Sequence, residues 1–491
     1  MAESGSTVTI FTLGTRGDLQ PLLALGQGLQ QRGHTVRIAT SVNFAEQIRA
    51  AGFVFFELSG NFQSTLNDNP NLGDLGLEML AVARMFRERM TCWAKDWATQ
   101  GQLACNGADL LIGVGNANLL AKLLGEAFAI PVVFAHLMPL TPSRYLPPMS
   151  LTSRTLPGPL NIAAYQALRL GMWRMMVKPA IDQCVRALGL PAYPWYGPYF
   201  QRRWAQIRVV YGFSPHVVSR PADWPDSAQI CGYWMLQEPQ WQPPTALQAF
   251  LDAGPAPVYI GFGSMVTGDP QALTATVIEA VRRSGRRAII AGGWGALDTA
   301  HVEADAQIFP LQQAPHSWLF PRMAAVVHHG GAGTTGAAAA AGVPSVVVPF
   351  FLDQPFWAHC LARQGVAPPA IVRRKMQAQT LTDAINQATQ PAMVRAAAQL
   401  GQRIRAEDGV TTAVDWLERW GVLPRLQRDD PVRTAPRHAL ETRLDPMPRR
   451  WTRTGSNSFH VPACARAMPR LNDHVHPDSV FMHIHWRHHR A

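Results

Sequence analysis

Between Val326 and Ala358 the sequence reads VVHHGGAGTTGAAAAAGVPSVVVPFFLDQPFWA. Its opening apolar run has strand character and the alanines Ala337 to Ala341 favour a helix, so HHGGAGTT is a strand-to-helix turn. Glycines there let a ligand approach the backbone. The N–H groups of Gly333 and Thr334 would open from the helix N-terminus, which favours an anion such as a pyrophosphate, and the threonine hydroxyls can add hydrogen bonds. His329 directly precedes the glycines and can supply a further donor, whereas His328 reads as packing. The chemistry of such a turn is the seating of a phosphate.

Other polar residues stand at turns without declaring a role. Asp18 lies in GTRGDLQP ahead of an amphipathic segment, where by itself it would cap a helix beginning at Leu19. Arg16 beside it could steady a carboxylate or phosphate, or be a solvated loop residue. Asp353, in the Asp-Gln pair that ends the second apolar run, is by itself a loop carboxylate. His136 lies near the end of the run IPVVFAHL, within reach of a ligand but also where a structural histidine sits. Trp318 reads as core rather than as a stacking platform.

These residues need elements to hold them. The run Val8 to Leu13 is a strand, followed by a Gly-rich turn, a helix from about Leu19 to Arg32 and a second strand, Thr35 to Thr40. Strand character returns in ADLLIGVGN and IPVVFAHL with a helix to about Phe128 between them, so parallel strands joined by helical crossovers are the economical arrangement. After the Gln-, Pro- and Trp-rich stretch around residues 236–255 the pattern restarts with PVYIGFGSM and runs through PSVVVPF. The expected organisation is an N-terminal Rossmann-like domain over 1–237, a linker over 238–256, a C-terminal Rossmann-like domain over 257–424 and a tail over 425–491. Two doubly wound α/β units in tandem leave a cleft between them, where ligands of open sheets bind.

Composition narrows the function classes. The 491 residues are 47% hydrophobic, enough for large cores, and carry a net charge of +11. From Arg425 onward there are 12 Arg, no Lys and 6 Asp or Glu, leaving 32 basic against 27 acidic residues before it, so the bulk of the chain is only mildly basic and no nucleic-acid partner is expected. The tail, Pro-broken and holding half of the 16 histidines, reads as disordered; as a tether it would suit an anionic membrane surface. No start with signal-peptide character and no uninterrupted run of about 18 apolar residues is seen, which makes the cytoplasm the default expectation. The six cysteines are scattered without CxxC spacing, arguing against a zinc site or disulfide framework and for reduced thiols.

The run from Pro315 to Ala370 resembles the donor-binding signature of the UDP-glycosyltransferases of GT-B fold, most closely their sterol 3-beta-glucosyltransferase and glycopeptide-antibiotic glycosyltransferase branch. GTRGDLQPLLALGQGLQQRGHTV is similar to the N-terminal motif of that branch, and PVYIGFGSM to the start of its donor domain; the likeness runs from about Thr7 to Trp420 and leaves out the tail. It implies that His329, Gly331, Gly333, Thr334 and Ser264 hold the donor diphosphate, that Asp353 and Gln354 bind hydroxyls of the donor sugar, and that Ala314 to Trp318 border the uracil, Leu311 standing where the family often has a stacking aromatic. A carboxylate that accepts two hydroxyls beside an amide that gives and takes suits a polyol. Many relatives place a histidine base in a GHxxP turn; here the position is Asp18, as in the sterol and antibiotic branch, so a carboxylate would take the acceptor's proton. The resemblance further implies single displacement with inversion and no cofactor or metal, the helix N-terminus and its donors taking the place of a divalent ion.

The acceptor is less defined. The segment Met138 to Trp195, rich in Met, Leu, Pro and aromatics, suits an apolar alcohol such as a sterol or other lipid-like molecule, with polyketides and other natural products as alternatives and His136 as a candidate contact. A UDP-sugar epimerase or a non-catalytic nucleotide-sugar or lipid-binding module would share the cleft; UDP release that depends on added alcohol separates them.

Overall fold

The computed structural model describes residues 5–69, 79–151, 156–236 and 241–425. The 425–491 tail therefore lies outside the described residues except for Arg425. Seven strands form the first sheet: β1 Thr7–Leu13, β2 Thr35–Thr40, β3 Val54–Glu57, β4 Leu110–Gly115, β5 Val132–His136, β6 Arg208–Tyr211 and β7 Ala228–Ile230. Five form the second: β8 Val258–Gly261, β9 Ala288–Ala291, β10 Ile308–Leu311, β11 Ala325–His328 and β12 Ser345–Val347. All pairings are parallel, in the orders β3-β2-β1-β4-β5-β6-β7 and β10-β9-β8-β11-β12.

Helices cover both faces of each sheet, which is why β4, β8 and β11 are apolar without alternation and buried on both sides. The direction of winding reverses between β1 and β4 in the first sheet and between β8 and β11 in the second. Chain leaving the C-terminal ends of these strands splays apart there, and the crevice so formed receives the ligand in open α/β sheets. Asp18 follows β1, Ser264 follows β8 and His329 follows β11, so the turns singled out in the sequence sit at the two reversal points.

The two halves are tied together by the last described helix, Gly409–Arg419. Asp408 caps it by accepting from the Thr411 N–H at 3.0 Å. Its Ala413, Val414 and Leu417 are fully buried in the core of the first sheet, against the helix Arg16–Gln31. Gly28 makes the approach possible, since a Cβ there would overlap Val410. Arg32 completes the contact with Asp415 at 2.6 Å and Glu418 at 2.7 Å.

Three expectations need correction. The first helix begins at Arg16 rather than Leu19, with Thr15 as its N-cap. The stretch read as a linker contains the helix Thr245–Asp252, whose Leu247 and Phe250 are buried in the second domain's core. Among the cysteines, Cys105, Cys184, Cys231 and Cys360 are free thiols, but Cys92 is disulfide-bonded. Among the described residues no helix is long and apolar enough to cross a membrane.

Candidate active site

A cleft of about 2000 Å³ runs between the two sheets and is lined from both. Its donor-side floor is the turn after β11. The helix Ala332–Ala341 starts from Gly331 in extended conformation, and the first intrahelical bond is Thr335 N–H to Gly331 C=O at 2.9 Å. The N–H groups of Ala332, Gly333 and Thr334 thus have no intrahelical acceptor and open at the cleft, together with the positive end of the helix dipole. Gly330, at φ 91°, must be glycine: a Cβ would also lie 2.7 Å from Val347.

The two histidines divide their work. His328 is fully buried and its Nδ1 accepts the Gly330 N–H at 3.1 Å, which fixes the turn. His329 lines the cleft in a slot made by absent side chains: a Cβ on Gly331 would strike its Nε2, and one on Gly263 would lie 3.0 Å from its Cε1. Burial, with a smaller push from His316, lowers the pKa of His329 to about 4. At neutral pH it is an uncharged imidazole with one N–H to donate. Ser264 lines the same floor, and the turn that carries it is anchored where Gly263 C=O accepts the Trp294 N–H at 2.9 Å.

Asp18 approaches from the opposite sheet. It is the third residue of its helix, and its Oδ2 accepts the Thr15 N–H at 2.7 Å and the Thr15 hydroxyl at 3.1 Å. The carboxylate thus closes the helix start from inside rather than acting as N-cap, and among the described residues Oδ1 accepts no hydrogen bond. Gly14 leaves it room, because a Cβ there would overlap Oδ2. Burial raises its pKa against the pull of the Thr15 bonds. Helix starts from the two domains meet here: Gly17 C=O would lie 3.6 Å from a Cβ on Gly333. Beside them Arg16 reaches across the cleft to Gln313 Oε1 at 3.0 Å.

Asp353 is buried at the start of the helix Gln354–Arg363, with Oδ2 accepting from Trp357 Nε1 at 2.8 Å. Burial pushes its pKa up to about 6, and the charge of Asp18 across the cleft adds to the rise. Leu352, just before it, is held at φ 57° and is 71% exposed, so the chain spends local strain to turn Asp353 into the cleft. Gln354 is less open to a ligand than the sequence implies. Its Oε1 accepts the N–H groups of Phe350 and Phe351 at 2.7 and 3.1 Å, and its Nε2 lies 3.3 Å from Met265 Sδ. It holds the loop that carries Asp353.

The geometry gathers Asp18, His136, Ser264, Ala314, His329, Gly331, Gly333, Thr334, Asp353 and Gln354 on one cleft wall or another. Trp318 does not join them: it packs on Trp241 at 4.9 Å with the Arg322 guanidinium 4.1 Å from its ring, away from the cleft lining. His316 takes a place there instead, stacked on Phe320 at 4.3 Å and pushed to a pKa of about 4 by burial and by Arg16. His136, at the end of β5, is buried beside Phe134 and Tyr211, and burial together with Arg169 lowers it to about 4. Around it the wall is Met138, Met172, Met176, Tyr165, Tyr199 and Tyr211, much of it from the helix Gly158–Met172 and the π-helical turn Trp173–Val177 that follows.

Residues 8–146 match the glycosyltransferase family 28 N-terminal domain, and residues 298–414 match the erythromycin biosynthesis protein CIII-like C-terminal domain. The chain is 35% identical over 429 residues to a sterol 3-beta-glucosyltransferase of Emericella nidulans, covering 84% of this chain and 30% of that protein. It therefore spans about three tenths of the length of the curated relatives it matches. Among solved structures, the glycotransferase of kitacinnamycin superposes with a TM-score of 0.61 at 18% identity, covering 86% of this chain and 100% of that one. The calicheamicin glycosyltransferase CalG4 superposes with a TM-score of 0.60 at 18% identity, covering 85% and 98%. At such identity these two speak for the fold: two Rossmann-like domains facing a cleft.

Proposed function

We propose that the cleft moves a hexose, glucose in the first instance, from a UDP-sugar to a hydroxyl of a sterol or other lipid-like alcohol, a reading supported by the two matched glycosyltransferase domains and by the similarity to a sterol 3-beta-glucosyltransferase. The observation that carries this is the meeting of Asp18 and Asp353, from opposite sheets, beside the open N-terminus of the helix Ala332–Ala341. One carboxylate stands where an acceptor enters, the other where a sugar joined to a seated diphosphate would lie.

Asp18 takes the acceptor's hydroxyl proton, and the oxygen forms a bond to the anomeric carbon. The bond from that carbon to the diphosphate oxygen breaks, and UDP leaves with the electron pair. Its charge is met by the N–H groups of Ala332, Gly333 and Thr334, by His329 and by the Ser264 hydroxyl. The carboxylate of Asp353 accepts sugar hydroxyls and the Gln354 amide N–H can give to one. Ala314 borders the base. Attack from the face opposite the nucleotide inverts the anomeric centre. In this reading the helix N-terminus does what a divalent ion does elsewhere, so EDTA should not reduce turnover. Burial makes Asp18 a stronger base than an exposed carboxylate.

The relative from Emericella nidulans is named for sterols, and the methionine- and aromatic-lined wall near His136 suits that class. Exposed Met172, Met175, Trp195 and Phe200, interleaved with exposed Arg174, Arg202 and Arg203, give the same region a surface fit to rest on an anionic bilayer. The test is UDP release from UDP-glucose with and without cholesterol presented in anionic vesicles, with the product's anomeric configuration read by NMR. Release that ignores the alcohol, or a retained configuration, would contradict the proposal.

A further inference from the structure

The acceptor side of the cleft holds a cation that the reaction above does not use. Arg169, on the helix Gly158–Met172, lines the cleft among Tyr165, Tyr199, Tyr211 and His136. Its guanidinium has five N–H donors, and among the described residues one bond is made, from Nη2 to Leu140 C=O at 3.2 Å. It lies 5.7 Å from the Tyr199 ring centre. Among the described residues no carboxylate pairs with it. Asp223, whose charge acts on the neighbouring Tyr165, is engaged by the Ser143 hydroxyl at 2.7 Å and the Arg144 N–H at 2.6 Å.

A guanidinium keeps its charge in such a place, and an unpaired charge on an apolar wall is costly. Its phenolic neighbours carry no charge at neutral pH, and neutral His136 offers none. One turn earlier on the same helix, the Gln166 amide has a buried Oε1 without a partner. A chamber built for hydrocarbon alone has no use for this cation, and the Gln166 oxygen, an acceptor, would be met by a donor such as a hydroxyl. A guest with an anionic oxygen group would neutralise Arg169 and meet its planar fork with two parallel hydrogen bonds.

We propose that Arg169 reads a carboxylate on the acceptor, so that the preferred acceptor is an amphipathic hydroxy acid with an apolar skeleton. The inference rests on the reading of this wall as the acceptor side of a transferase. It is therefore tested by binding as well as by turnover, with two probes that share one sterol skeleton and differ only at the carboxyl group, charged in one and capped in the other: 3β-hydroxy-5-cholenoic acid and its methyl ester. Calorimetry on the UDP-loaded protein should show the acid binding at least about tenfold more tightly than the ester, and UDP release from UDP-glucose should show the same preference in KM. Arg169→Met should bring the two probes within about twofold of each other with UDP affinity unchanged, and Arg169→Lys should keep part of the preference. Equal binding of acid and ester by the wild-type protein, a preference that survives in Arg169→Met, or binding of neither probe would overturn the inference. A charge preference in binding without any UDP release would leave it standing and count instead against the transferase reading.

Discussion

Replacing Gly331 by alanine should disable the diphosphate seat through a residue that alanine never touches in the ligand. Gly331 has φ −63° and ψ 146°, a conformation open to any L-residue, so the backbone does not resist. The added methyl would instead overlap His329 Nε2, so the ring has to move. It must swing out of its slot, and its hydrogen bond to a charged oxygen is lost. Such a bond contributes about 1.5–3 kcal/mol, which is about 10- to 150-fold in UDP affinity. Alanine is also a poorer N-cap than glycine, so the fold should lose about 1 kcal/mol. Calorimetry with UDP on Gly331→Ala, His329→Ala and the double variant separates the effects. If Gly331 acts through His329, the double variant binds no more weakly than His329→Ala. Wild-type affinity in folded Gly331→Ala, or additive losses, would refute the reasoning.

Other outcomes follow from the same geometry. His136, His328 and His329 all have folded pKa values below the ordinary 6.5, so the unfolded chain binds protons first and their stabilisation, full above pH 6.5, is lost as pH falls, toward about 4 for His136 and His329. Urea midpoints should fall from pH 7 to pH 5, by about 1 kcal/mol per pH unit for each histidine, only partly offset by Asp353, whose raised pKa works the other way; a flat profile would show that these rings titrate normally. Because Asp353 must be ionised to accept sugar hydroxyls, the affinity of UDP-glucose relative to UDP should rise through about pH 6 in paired calorimetric titrations, and Asp353→Asn should abolish the rise. Leu417→Ala should cost about 2–5 kcal/mol in denaturant unfolding, since that side chain is fully buried against the first domain, whereas ending the chain at residue 424 should leave folding and turnover on a soluble acceptor intact.

Much of this fold is legible in the chain because its strands are buried on both faces and read as short apolar runs between turn residues. β2 spans the residues its sequence suggests, and the glycine turn after β11 declares its helix start. The first helix is misread because Pro21 lies inside it, and proline is tolerated best near a helix start, which draws the apparent beginning toward it. Thr15, three places before Asp18, is the true cap. Pro243 and Pro244 conceal the helix Thr245–Asp252 in the same way, although Leu247, Phe250 and Leu251 follow helical spacing. Trp318 and Gln354 show the limit of motif reasoning: the motif locates a residue, while Trp241 in one case and two backbone N–H groups in the other decide where the side chain turns. Arg169 could not be found in advance, since what marks it is the absence, among the described residues, of a carboxylate in a neighbourhood assembled from four distant segments.

The account stands most directly on Asp18 as the base, and Asp18→Asn isolates that role. Asparagine can still accept the Thr15 N–H, so folding should change little, whereas Asp18→Ala should lose about 0.5–2 kcal/mol with the helix start. The decisive measurement is turnover of UDP-glucose with a productive alcohol, beside calorimetric UDP affinity, for wild type and Asp18→Asn. Unchanged UDP binding with turnover lower by about 10²–10⁴-fold is the predicted result. Near wild-type turnover in Asp18→Asn would contradict the account and move the search for the base to His136.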